Sequence, residues 1–139
     1  MTHFVCTGTI VAAAAAGGRI NAAFPAGKPT MLNGDKLTVA LRWGGAPGSA
    51  PPSLQISLVF SATAQSAPAQ SPSPFLKGGN FTCLVTETVA GTTNGAHVEY
   101  TPKQLVYSGG HAGHYKLAIV ATEGGGRQWS ADPEFDTGN

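Results

Sequence analysis

Residues 113–122 read G-H-Y-K-L-A-I-V-A-T. Tyr115, Leu117, Ile119 and Ala121 alternate with His114, Lys116, Ala118 and Val120. A period of two puts one set of side chains on each face of an extended strand, and the apolar set has to be covered. The same alternation recurs along the chain. Leu37, Val39, Leu41 and Trp43 share one phase, as do Leu54, Ile56, Leu58 and Phe60. So do Phe81, Cys83 and Val85, then Val98 and Tyr100, then Trp129, Ala131, Pro133 and Phe135. An N-terminal strand over 2–11 and a short one over 105–107 bring the expected total to seven or eight. Gly, Pro, Ser and Asn fill the segments between them, as turns require. No stretch repeats at 3.6 residues. The alanine run 12–16 ends at Gly17-Gly18 and is too short to hold a helix alone. Half-buried strands throughout imply an all-β protein, most simply an antiparallel sandwich.

Composition narrows the function. The 139 residues suit a single domain over 1–139, and 42% of them are hydrophobic. Only 11% are charged, against about 25% in typical soluble domains, so Ser, Thr, Gly, Ala and Gln must supply much of the surface. The net charge of +1 comes with no basic stripe, which argues against nucleic acid as a partner. Weak net charge lowers the repulsion between copies and eases self-association. No apolar run approaches the ~20 residues of a membrane-spanning helix. Residues 10–16 have the look of a short leader core, but no Lys or Arg precedes them, so the expectation is a soluble, cytoplasmic rather than secreted protein. Cys6 and Cys83 sit in apolar phase and read as buried free thiols, with one disulfide between them as the alternative.

Two connections are low in complexity: 44–53, and the Pro/Ser/Ala-rich stretch at about 61–80. A loop of twenty residues inside one domain is uncommon and points to an edge or a partner. Phe75 and Leu76 within it are candidate partner-binding anchors.

The C-terminal third adds a resemblance. Residues 113–122, the glycine-rich 123–128 and the strand W-S-A-D-P-E-F-D at 129–136 run as strand, turn, strand. This resembles the closing hairpin of immunoglobulin-like and cupredoxin-like sandwiches. It implies an immunoglobulin-like fold with Tyr115 as a tyrosine corner, and it carries no activity. The chain departs from both families. Leu117 stands where an immunoglobulin domain has its second cysteine. A blue-copper centre needs a His shortly after Cys83 and a Met, but the next His is His97 and the methionines are Met1 and Met31.

The chemistry is sparse. His111 and His114 lie three apart in S-G-G-H-A-G-H-Y and are the only candidate metal ligands, with His97 and Glu99 able to join only from an adjacent strand. Zinc wants three or four ligands in a tetrahedron, and the glycines already explain the stretch as a turn. Asp132, Glu134 and Asp136 share one face about 7 Å apart, where mutual repulsion should raise one carboxyl pKa. They read as a charged face that guards the last strand. No nucleophile elbow, paired carboxylates or phosphate loop is present, so neither a catalytic residue nor a cofactor is expected. Asn80-Phe81-Thr82 is a formal glycosylation triplet. Trp43 and Trp129 are in core phase, which leaves carbohydrate binding without a displayed aromatic. The expected function is a non-enzymatic module that binds a protein partner or assembles as a homo-oligomer. The alternative is a histidine-centred metal- or small-ligand-binding protein.

Overall fold

The computed structural model describes residues 2–11, 17–62, 81–107, 112–124 and 126–138. They form β1 (His3–Ile10), β2 (Gly17–Ala23), β3 (Thr30–Met31), β4 (Lys36–Trp43), β5 (Ser53–Ala62) and β6 (Phe81–Asn94). These are followed by β7 (His97–Tyr100), β8 (Lys103–Val106), β9 (Gly113–Thr122), β10 (Gln128–Ala131) and β11 (Glu134–Thr137). The only helical element among the described residues is a 3-10 turn at Pro47–Ser49. None of their helices is long and apolar enough to cross a membrane.

The protein is all-β, as the alternation requires, but the expected antiparallel sandwich needs correction. Eleven strands are present rather than seven or eight. Three pairs are parallel: β1 with β4, β2 with β10, and β3 with β11. The ladder also closes on itself. Its order β10-β2-β1-β4-β7-β6-β5-β9 returns to β10, so eight strands make a barrel. Two strands turn the corners. β2 pairs with β10 over Gly17–Arg19 and with β1 over Ile20–Ala23. β6 pairs with β5 over Phe81–Ala90 and with β7 over Gly91–Asn94. A sandwich keeps its two sheets separate; here both corner strands carry hydrogen bonds from one sheet to the other.

Alternation sets the lumen. Leu37, Val39, Leu41 and Trp43 point inward, as do Leu54, Ile56 and Leu58, and Tyr115, Leu117, Ile119 and Ala121. An eight-stranded barrel is just wide enough for side chains to fill, and here Trp129, Tyr115, Phe135 and Met31 also occupy it, fully buried. Cys6 is a buried free thiol, and burial pushes its pKa up to about 11, so it is inert as a nucleophile. The β5–β6 connection starts after Ala62 rather than at 61. Residues 63–80, with Phe75 and Leu76, lie outside the described residues, as do the alanine run and His111.

Gly91 shows how tight the second corner is. A Cβ there would stand 2.9 Å from the Tyr100 ring, 3.0 Å from Val98 and 3.2 Å from the Pro51 carbonyl oxygen. Gly91→Ala should destabilise by about 1–2 kcal/mol, read as a lower urea midpoint. An unchanged midpoint would mean the corner is looser than drawn.

Candidate functional site

Side chains fill the lumen, and the outer surface is what the barrel presents to solvent. It carries a groove of about 580 Å³ between β1, β4, β6 and β7. It arises from a change of partner along β4. Lys36–Val39 pair with β8, whereas Arg42 pairs with Glu99 of β7. Ala40 and Leu41 fall between the two ladders, where Thr101-Pro102 links β7 to β8. Pro102 has no N–H to offer a ladder, so the interruption is written into the sequence.

Thr7 and Thr9 on β1, Thr92 on β6 and Thr101 in the link put hydroxyls around the groove. Arg42 and Glu99 stand on its walls and are both exposed. They are register partners with opposite charges, yet no ion pair joins them among the described residues. Arg42 Nε instead donates a long 3.4 Å hydrogen bond to Thr9 Oγ1, and Asn94 Nδ2 donates one of 3.5 Å to Glu99 Oε2. Both charges therefore remain largely available to a ligand.

One end of the barrel holds a denser polar cluster of a different kind. The Trp43 and Trp129 rings meet edge to face, with centroids 5.4 Å apart at 89°. The Arg127 guanidinium lies 5.1 Å from the Trp129 centroid and 5.9 Å from that of Trp43. Glu123 fixes it through both oxygens, with Nε–Oε1 at 3.0 Å and Nη2–Oε2 at 2.5 Å. The bonds from Arg127 outweigh the effect of burial and hold the Glu123 carboxyl below its usual value. Burial, helped by the Glu123 charge, pushes the Tyr100 pKa up to about 12, while its hydroxyl donates to the Pro51 carbonyl at 2.9 Å. Both tryptophans are buried, so neither offers a flat face to a sugar. The Trp43 indole N–H donates to Ser49 Oγ at 3.1 Å, whereas that of Trp129 is buried with no partner among the described residues.

The histidine question is only partly within reach of the described residues. His114 faces outward and Tyr115 inward, as the alternation demands. His114 Nδ1 meets the Asp136 carboxylate across the β9–β11 pair, and Lys28 Nζ lies 3.3 Å from the same oxygen. His97 and Glu99 do not come near. They lie on β7, separated from β9 by β6 and β5. Among the described residues no group of three or more His, Cys, Asp and Glu could hold a metal ion.

The acidic face also differs from expectation. Asp132 and Pro133 interrupt the last strand between β10 and β11. Basic side chains lie along the same face: Lys116 is the register partner of Glu134 and lies 4.0 Å from Asp132, and Lys28 and His114 meet Asp136. Burial alone would raise the Asp136 pKa, but the bonds from His114 and Lys28 hold it below the ordinary value. The expected upward shift from mutual repulsion is therefore reversed at Asp136. Tyr115 is buried, its ring stacked on Phe135 at 5.9 Å and its hydroxyl bonded to the Thr137 side chain.

Sequence reasoning placed Glu99 only as a distant helper of the histidines and did not single out Arg42. No spacing along the chain links residues 57 apart; only the β4–β7 register does. No protein-family model, curated protein or solved structure matches the chain.

Proposed function

We propose that this protein is a non-enzymatic binding module that uses the β1–β4–β7 groove to engage a partner or another copy of itself. One observation carries the reading: Arg42 and Glu99 are register partners that both line an open groove, and no ion pair joins them among the described residues. Opposite charges directly across two strands ordinarily favour pairing by a few tenths of a kcal/mol. Left available, they supply a cation and an anion about one strand spacing apart, with threonine hydroxyls around them. Such a surface suits an extended polypeptide segment, whose side chains and amides provide both signs of charge and both donors and acceptors. The groove presents no exposed aromatic, which sets carbohydrate behind protein as a ligand.

The closed ring is read here as a variant of the immunoglobulin-like sandwich. Support comes from the β9–β10 hairpin and from the inward Tyr115 near the start of β9. In such modules function resides in surface sites rather than in the fold itself.

The test uses immobilised protein and a random-peptide display library. Peptides enriched on the wild type should be lost on the Arg42→Ala/Glu99→Ala variant. Equal enrichment on both would remove the groove as the recognition surface.

A further inference from the structure

We infer that the occupant of this groove is a second copy of the chain, related by a two-fold axis that sets Arg42 of each copy against Glu99 of the other. The inference rests on the groove being a recognition surface and goes further by naming what it recognises. A two-fold interface uses one patch twice, so the patch must complement itself. A patch of one sign repels its own image; a patch with one cation and one anion, each otherwise unpaired, matches it. Arg42 and Glu99 meet that condition. They are register partners on neighbouring strands, both exposed, and held only by neutral groups at 3.4 and 3.5 Å.

The concavity fits the same arrangement. Arginine is the longest cationic side chain and presents a planar fork to a carboxylate. Each copy's groove of about 580 Å³ has room for the other's Arg42, with Thr9 and Thr101 hydroxyls beside it. Long-range electrostatics do not oppose the approach, because the whole chain carries a net charge of only +1. The other charged face does not compete as a self-matching patch. On β9 and β11 most of the charges already meet within one chain, Asp136 with Lys28 and His114, and Asp132 with Lys116 at 4.0 Å. Because one groove buries little surface, the dimer belongs to the weak, transient class.

The test is sedimentation velocity on the full chain from about 10 µM to about 1 mM, where weak interfaces associate. Wild type should shift from monomer towards dimer with concentration, and less so in added salt. Arg42→Glu and Glu99→Arg should each weaken association about tenfold or more by setting like charges together. Mixing the two single variants should restore it, because each reversed charge then meets its opposite. That rescue also guards against a variant that merely folds badly. A wild type that stays monomeric across the range overturns the inference, as does a dimer indifferent to both reversals. If either happens while displayed peptides still distinguish wild type from the Arg42→Ala/Glu99→Ala variant, the groove remains a recognition surface and only its occupant is wrong. If the peptides fail as well, both readings fall.

Discussion

Trp129→Ala should cost about 4 kcal/mol, the range for deleting a large buried aromatic. Trp129 is fully buried at the end of the barrel where β10 closes the ring against β9 and β2. Its ring supports the edge of Trp43 and the guanidinium of Arg127 at once. Removing it leaves a void under the closure and frees the Arg127–Glu123 pair from its platform. The melting temperature should fall by more than about 10 °C for a chain of this size. Trp129→Phe separates packing from polarity. It keeps most of the ring and removes an indole N–H that is buried without a partner among the described residues. A buried donor left unsatisfied carries a penalty of about 1–3 kcal/mol, so its loss should offset much of the lost ring, for a net change within about 1 kcal/mol. A Trp129→Ala variant as stable as the wild type would show that β10 does not close the barrel over this residue.

Asp35→Ala should be the next most damaging change, at about 3 kcal/mol. Asp35 is buried in the turn between β3 and β4 and ties three segments together. Its Oδ1 accepts from the Thr2 amide at 2.7 Å, and its Oδ2 accepts from the Leu32 amide at 2.8 Å. Its own carbonyl accepts from the Tyr107 amide at 2.9 Å. The bonds from Leu32 and Thr2 hold the carboxyl below its ordinary value. The sign follows from linkage. The folded state favours the ionised form more than the unfolded state does. The stabilisation is therefore complete above the unfolded value of about 3.9 and is lost as pH falls from there through the depressed folded value. Glu123 and Asp136 are depressed as well and act in the same direction. Urea unfolding at neutral pH should separate wild type from Asp35→Ala by the full amount. Near pH 3, below the unfolded value, the gap should narrow, because the unfolded chain then binds a proton that the folded carboxylate resists. An equal gap at both values would mean that the carboxylate charge contributes nothing.

Much of the barrel is legible in alternation alone. β1, β4, β5, β7 and β9 coincide with period-two runs, and the inward set in each is buried wherever a side chain is described, apart from the half-buried Phe4 at the start of β1. β2 escaped notice because G-G-R-I-N-A-A offers one large apolar residue, Ile20. It is a strand because β1 and β10 supply its partners, and Ala22 sits opposite Gly8 where bulk would not fit. β6 runs past the expected end because Glu87 breaks its pattern. That residue lies opposite Ile56, in the phase of the inward residues, yet it is exposed and meets Lys103 of β8, a strand β6 does not pair with. Asn94-Gly95 was an unread hairpin signal: Gly95 has φ 63° at the first position of a two-residue turn, a conformation glycine adopts freely. Closure into a barrel was not legible, since it depends on two strands changing sheets midway. The groove follows from the same cause. Neither Arg42 nor Glu99 is remarkable along the chain, and only register makes them a pair.

Amide chemical shifts followed on dilution of isotopically labelled protein test the central claim most directly, since they report where contact is made. The account predicts that Thr7, Thr9, Arg42, Thr92, Glu99 and Thr101 move with concentration, while the outer face of β9 and β11 stands still. Shifts confined to that other face, or none around the groove, would contradict it.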